Sequence, residues 1–227
     1  KPKAKWVLAE GSDTSGMTRS IPVEKILDDC LIAWAMNGEA LRPEQGYPAR
    51  LVVPGWEGNM WVKWIRRLEF GDKPYMTREE TSKYTDLLRN GKARMFTWVM
   101  EAKSVVTSPS PEKPILHKGI QQLRGLAWSG KGKIKRVDVS LDGGKNWRTA
   151  QLHAPIMSKS LVRFTLPFEW SGEELLIQSR AIDETGYVQP YIQELQKIRG
   201  KNSIYHNNSI ATWLVSKSGK VDNVRLG

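Results

Sequence analysis

Side chains able to ligate a metal or act as a nucleophile are few in this 227-residue chain, and they lie far apart. There is one cysteine, Cys30, and there are three histidines, His117, His153 and His206. A single thiol excludes an internal disulfide and a cysteine-rich zinc site. Histidines so widely separated leave few ways to build a metal centre from imidazole alone. What the chain has in quantity is positive charge: 35 Lys and Arg against 24 Asp and Glu, a formal net charge of +11. Such a balance attracts anions, whether a phosphorylated cofactor, an anionic substrate, an acidic protein or nucleic acid, and it also serves simply to solubilise a surface. The densest basic runs, KWIRRLEF (63–70) and KGKIKR (131–136), carry no RNP-type aromatic strand, zinc-finger spacing or helix-turn-helix pattern, so nucleic acid is not the expected partner.

The elements that must position these groups change in character along the chain. With 40% hydrophobic residues and ten Trp, apolar burial can offset chain entropy, and a folded chain of one large or two smaller domains is expected. No stretch approaches about 20 consecutive apolar residues, so no membrane span is expected, and the opening KPKAKWVLAEGSD lacks the apolar core of a secretory signal. The first part reads as mixed α and β. In SIPVEKILDDCLIAWAMNG (20–38), Val23, Ile26, Leu27, Cys30 and Leu31 follow a helical stripe behind Ser20 and Pro22, and this makes Cys30 a buried apolar position. ARLVVPGW (49–56) and GNMWVKWIRRLEF (58–70) read as strands, and TREETSKYTDLL (77–88) as a helix. SVVTSPSPEKP (104–114) is dense in Ser and Pro, as linkers and strand edges are. Beyond it the pattern alternates with period two. KIKRVDVSLDGGKNWRTAQL (133–152) is a hairpin whose Asp142-Gly143-Gly144 turn uses glycines for positive φ. LVRFTLPFEW (161–170), ELLIQSRAID (174–183) and SIATWLVS (209–216) supply further strands at the spacing of a β sandwich.

A colinear set of motifs runs through both parts. GEALRPEQGYPARLVVPGWEGNMWVKWIRR (38–67), AEGSD (9–13), RSIP (19–22), RGLAWSGKGKIKRVDVSLDGGKNW (124–147), AIDETGYVQP (181–190) and IRGKNSIYHNN (198–208) together resemble the molybdoenzymes of the sulfite oxidase family over nearly the whole chain. EALRPEQGYP, TREETSKYTDL and DETGYVQP are most similar to molybdenum subunits of bacterial thiosulfate-oxidising (Sox) systems. The resemblance implies a mainly β chain with an α+β part. Residues 1–90 would be the C-terminal part of a molybdopterin-binding oxidoreductase domain, and 91–227 an immunoglobulin-like β-sandwich dimerisation domain. The family's molybdenum-ligating cysteine belongs to a segment N-terminal to these motifs, and Cys30 does not occupy its motif.

The same resemblance implies site residues. Arg50 matches the family's cofactor-contacting arginine, a residue whose planar fork suits phosphate; read alone it is a surface arginine at a strand start. Gln45 stands where the family has His, able to hydrogen-bond but not to carry charge. Trp61, Val62 and Lys63 occupy a further cofactor contact, through backbone at the first two and ammonium at the third. Asp13 matches an acidic contact, or is a turn aspartate between Gly11 and Gly16. Tyr84 aligns with an active-site tyrosine, or is an amphipathic tyrosine on a short helix. Arg199 matches the arginine that reaches a substrate pocket for an anion, or is the basic last turn of a Gly200-capped helix. His206 follows a family histidine and is expected to order its loop.

The implied activity is oxidation of a sulfane or sulfite sulfur with a molybdenum–molybdopterin cofactor. Implied partners are a c-type cytochrome that accepts the electrons, a sulfur-carrier protein and a second copy of the chain; the implied compartment is the periplasm. Two other readings stand beside it: a non-catalytic dimerisation fragment, and a dehydrogenase of free sulfite.

Overall fold

The computed structural model describes residues 3–203 and 205–226. The chain divides into two units, Lys1–Val99 with Arg199–His206, and Met100–Ile198 with Asn207–Gly227. The chain passes from the first to the second at 99/100, where the motifs suggest 90/91, and a short segment near the C-terminus returns to the first unit. Among the described residues no helix is long and apolar enough to cross a membrane.

In the first unit the strands β1 (Trp6–Gly11) and β2 (Thr18–Pro22) are followed by helix α1 (Val23–Asp28) and by β3 (Leu31–Ala33), β4 (Ala35–Met36), β5 (Glu39–Ala40), β6 (Arg50–Val52) and β7 (Ile65–Gly71). Helix α2 (Arg78–Ser82) and the short strands β8 (Asp86–Leu87) and β9 (Ala93–Arg94) complete it. An antiparallel sheet runs β2-β1-β7, while β3 pairs with β6, β4 with β5 and β8 with β9. Ala9, Ile21, Leu51, Val53, Met60 and Val62 form its apolar centre.

Three expectations for this unit give way to tertiary pairing. The helix expected from Ser20 begins only at Val23, because Ser20 and Ile21 pair with Leu8 and Val7 of β1. Cys30 lies beyond its end, partly exposed, with its thiol donating to the Lys25 carbonyl at 3.2 Å. The strand expected over 58–70 starts as a 3-10 turn, Gly58–Met60, and becomes a strand at Ile65, because Trp64 sits at φ 51° and breaks the extended run. The helix expected over 77–88 is one turn, capped where the Thr77 hydroxyl accepts from the Glu80 N–H.

The second unit is a two-sheet sandwich. Its strands are β10 (Lys103–Ser108), β11 (Gly119–Trp128), β12 (Ile134–Ser140), β13 (Arg148–Thr149), β14 (Gln151–His153), β15 (Val162–Trp170) and β16 (Leu175–Asp183); helix α3 (Ile192–Arg199) precedes β17 (Thr212–Val215) and β18 (Val221–Val224). One sheet runs β10-β11-β15-β14 and the other β13-β12-β16-β17-β18. The first half of the Ser/Pro-rich 104–114 stretch is thus an outer strand of the sandwich. Alternation drives the burial: Val162, Phe164, Leu166, Phe168 and Trp170 point inward from β15, and Val137, Val139, Ile177 and Ala181 meet them from the other sheet. Gly125, opposite Phe164 on the neighbouring strand β11 of the same sheet, leaves room for that ring, since a Cβ there would lie 2.1 Å from Phe164 Cζ. The expected 142–144 turn forms, with Gly143 and Gly144 at φ 74° and 92°.

Candidate functional site

The cofactor residues inferred from sequence gather in the first unit around the loops between β5 and β7. Arg50 opens β6, and its Nη1 and Nη2 donate to the carbonyls of Gln45 and Trp61, both at 3.0 Å. Its buried Nε has no partner among the described residues. Burial pulls the guanidinium's pKa below the usual arginine value. A partly buried cation held by neutral carbonyls retains its attraction for an anion. Lys63 is held in the same manner, donating to the Glu44 carbonyl at 2.9 Å and lying 4.4 Å over the Trp64 ring.

Beside these cations is a cavity of about 160 Å³ lined by Asp13, Met17, Gly58, Asn59, Trp61, Val62, Lys63 and Trp64. Glycine lets its walls approach: a Cβ at Gly11 would fall 2.7 Å from the Lys63 carbonyl oxygen. The Asp13 carboxylate takes a hydrogen bond from the Ser15 hydroxyl and another from the Met17 N–H at 2.9 Å, and these hold its pKa below the ordinary value. Asn59, which no sequence motif singles out, lines the cavity with a buried side-chain oxygen that has no partner among the described residues.

The backbone N–H groups of Trp61 and Val62 donate to Gly58 and Met60, and their carbonyls accept from Arg50 Nη2 and the Leu51 N–H, so the backbone groups of both are already engaged within the unit. The Gln45 side-chain oxygen accepts from the Arg42 N–H at 2.9 Å, which leaves its amide NH2 as the available donor.

Tyr84 and Arg199 form a second group in the same unit. Tyr84 follows α2; its ring lies 4.1 Å from the Arg19 guanidinium and 5.1 Å from the Tyr205 ring. Burial pushes the Tyr84 hydroxyl above the usual phenol range, against the pull of Arg19. Arg199 ends α3 at Gly200, whose φ of 85° closes the helix. The side chain is 4% exposed and its Nη1 donates to Asp86 Oδ2 at 3.3 Å. The helix end and the buried arginine thus fall at one position, with Arg199 paired to Asp86 of β8 and Gly200 capping the helix behind it. The two groups meet through the loop before Gly58. Glu57 Oε1 lies 2.5 Å from His206 Nδ1, binding the segment that carries Arg199 and Tyr205 to the loop that carries Asn59.

Arg19 and Glu80 lie inside RSIP and TREETSKYTDL, and neither motif assigns them a role. Both side chains are fully buried, with Arg19 Nε and Nη2 3.0 and 3.1 Å from the two oxygens of Glu80. They are 61 residues apart, and nothing local in either segment signals the pairing.

Known proteins resemble both units. Residues 1–79 match the family model of the oxidoreductase molybdopterin-binding domain, and 94–213 that of the Mo-co oxidoreductase dimerisation domain. Chicken (Gallus gallus) sulfite oxidase is 34% identical over 75% of this chain and 40% of its own length. A tomato (Solanum lycopersicum) nitrate reductase is 32% identical over 81% of this chain and 24% of its own. The crystal structure of the sulfane dehydrogenase SoxCD from Paracoccus pantotrophus superposes with a TM-score of 0.96 at 61% identity, covering all of this chain and 59% of that one. The chain thus spans less than two thirds of the length of these relatives.

Proposed function

The chain belongs to the sulfite oxidase family of molybdopterin oxidoreductases, and from that premise we propose that it supplies the pterin-holding wall and the substrate-side cation of a molybdenum-dependent sulfur-compound dehydrogenase. The observation that carries this is the buried acceptor Asn59 Oδ1 lining the cavity, with a buried donor, Arg50 Nε, on the side chain that clips the lining residue Trp61, neither atom having a partner among the described residues. Buried polar atoms without partners are uncommon in folded proteins. A flat, polar-edged heterocycle with an anionic tail fits an acceptor, a carboxylate and two carbonyl-tethered cations.

In this reading Asp13, Gln45, Asn59, Arg50, Trp61, Val62 and Lys63 hold the cofactor. Bound there, a molybdenum–molybdopterin group supplies two-electron oxidation of sulfur with oxygen derived from water. The chain's own contribution is positional. Arg199 attracts the sulfur anion, and its Asp86 partner keeps the guanidinium aimed without long side-chain excursions. The raised Tyr84 hydroxyl stays protonated at neutral pH, so its phenol oxygen donates a hydrogen bond to an oxyanion. Arg50 and Lys63, fixed in advance by carbonyls, meet the cofactor's charge with little reorganisation.

The substrate is a carrier-bound sulfane sulfur, the electron acceptor a c-type cytochrome, and the second unit an immunoglobulin-like module that mediates contact with a second copy, in the periplasm. SoxCD, at 61% identity, supports the sulfane reading over free sulfite. Two measurements test it: molybdenum and pterin content of the full-length protein, and turnover of carrier-bound sulfane sulfur against free sulfite with cytochrome c as acceptor. Stoichiometric cofactor and preference for the carrier-bound substrate are expected. Full-length protein without molybdenum would refute the site, and preference for free sulfite would refute the substrate.

A further inference from the structure

The fully buried Arg19–Glu80 pair has no role in the site as described, yet the Arg19 guanidinium lies against the face of Tyr84 at 4.1 Å. Stability alone does not call for such a pair. Taking two charges out of water is costly, and buried ion pairs are often replaceable by apolar residues without loss. This one is built with care. Glu80 accepts from Arg19 at both oxygens and from the Ser20 N–H at 2.9 Å. Glu80 stands on α2, just before that helix gives way to Tyr84, and the Tyr84 N–H is held by the Glu79 carbonyl at 3.3 Å. Arg19 comes from β2, the edge strand of the β2-β1-β7 sheet, so the ring rests on an element anchored in the unit's sheet. We propose that Arg19, fixed by Glu80, is a positioning residue for Tyr84: its guanidinium plane holds the phenol ring by one face, and its charge sets how readily the hydroxyl yields its proton.

The inference rests on the reading of Tyr84 as the active-site phenol. A cation against an aromatic face attracts it through the ring quadrupole, and a positive charge within about 4–6 Å favours the ionised form of an acid by about one to three pH units. Burial acts in the opposite sense. The other groups that face Tyr84 are Glu57, Glu79 and Tyr205, and each of them raises its pKa. Glu79 is occupied by Arg78 at 2.6 Å and by the Thr18 hydroxyl at 3.3 Å. Arg19 is thus the cation that counters them, and Glu80 decides how much of its charge reaches the phenol.

This gives variants with opposite signs. Glu80→Gln keeps an acceptor for the Ser20 N–H but leaves the guanidinium uncompensated, so the Tyr84 pKa falls by about one unit. Arg19→Met combined with Glu80→Gln removes both charges, leaving burial in command, and the Tyr84 pKa rises by a similar amount. Both are measured in the full-length enzyme by tyrosinate absorbance, as the difference from the same protein carrying Tyr84→Phe, and by the alkaline limb of the kcat profile. Circular dichroism and melting confirm that each variant is folded. Shifts in opposite directions, with the kcat limb following, support the proposal. Shifts in the same direction, or none, overturn it, because a purely structural pair would lose activity in both variants without moving the titration in opposite senses. A Tyr84→Phe enzyme with unchanged kcat refutes the active-site role of Tyr84 separately, and the titration still decides whether Arg19 and Glu80 tune the phenol.

Discussion

Replacing Arg50 by Met separates the clip its side chain makes in the structure from the cofactor contact proposed for it. Its Nη1 and Nη2 bridge the carbonyls of Gln45 and Trp61, at 3.0 Å each, and so clip the turn at 43–46 to the strand start and to the 58–61 turn. A hydrogen bond to a charged group contributes about 1.5–3 kcal/mol when fully formed away from water. Arg50 is only partly buried, and both carbonyls can recruit water once it is gone, so the pair together is worth about 2 kcal/mol. In cofactor-free full-length protein this lowers a urea midpoint by about 1 M at a slope near 2 kcal/mol/M. The second loss is the cation proposed to meet the cofactor, and molybdenum retained after gel filtration should fall by at least about tenfold, the equivalent of about 1.4 kcal/mol. Arg50→Lys sharpens the test. It restores the charge but not a planar fork able to reach two carbonyls, so metal content should recover more than stability does. A variant with wild-type midpoint and full molybdenum content would refute both the clip and the cofactor contact.

The remaining predictions address the substrate side and the sandwich. Arg199→Met alone would strand the buried Asp86 carboxylate, so the informative variant combines it with Asp86→Asn; melting should stay near wild type while KM for the sulfur anion rises about tenfold or more, and an unchanged KM would refute the substrate role proposed for Arg199. Gly125→Ala sets a Cβ 2.1 Å from Phe164 Cζ and 2.5 Å from the Val105 carbonyl oxygen; the backbone oxygen cannot rotate away, and a loss of about 3 kcal/mol is expected by chemical denaturation, a wild-type midpoint being the contrary result. Asp142, hydrogen-bonded to the Asn146 N–H, the Asn146 side chain and Ser140, has its pKa lowered from 3.8 to about 2. A depressed carboxylate stabilises the fold fully above its unfolded pKa and loses that contribution as pH falls through the folded value. Asp142→Asn should therefore melt lower at neutral pH and show less acid dependence below pH 3.8; an acid limb identical to wild type would contradict the assignment.

The second unit is legible in the sequence because its structure is written in local period. Alternation along 161–170 places Phe164 and Trp170 inward, and Asp142-Gly143-Gly144 turns where glycine permits positive φ. The first unit hides more, since its backbone is settled by pairings between distant segments. Ser20 and Ile21 look like a helix start until β1 claims them, and Trp64 breaks a run of strand-forming residues by adopting φ 51°. Neither outcome can be read from propensity, because tertiary pairing outweighs a preference of under about 1 kcal/mol per residue.

The site divides along the same line. Arg50, Lys63, Tyr84 and Arg199 follow from motif resemblance, which reports residue type but not what the side chain is bound to. The structure adds the partners that fix them: two carbonyls for Arg50, one for Lys63, Asp86 for Arg199, Arg19 for Tyr84. An asparagine in a glycine-rich turn is ordinary chemistry, and only the buried, unanswered oxygen of Asn59 beside the cavity distinguishes it. Arg19 and Glu80 are hidden for another reason, since each is paired with a residue 61 positions away. A sequence can therefore point to the cations that would meet a sulfur anion and a pterin phosphate. The groups that hold those cations rigid, and so determine how much attraction survives solvent screening, emerge only when the loops at 42–46, 57–64, 84–86 and 199–206 are folded against one another within one unit.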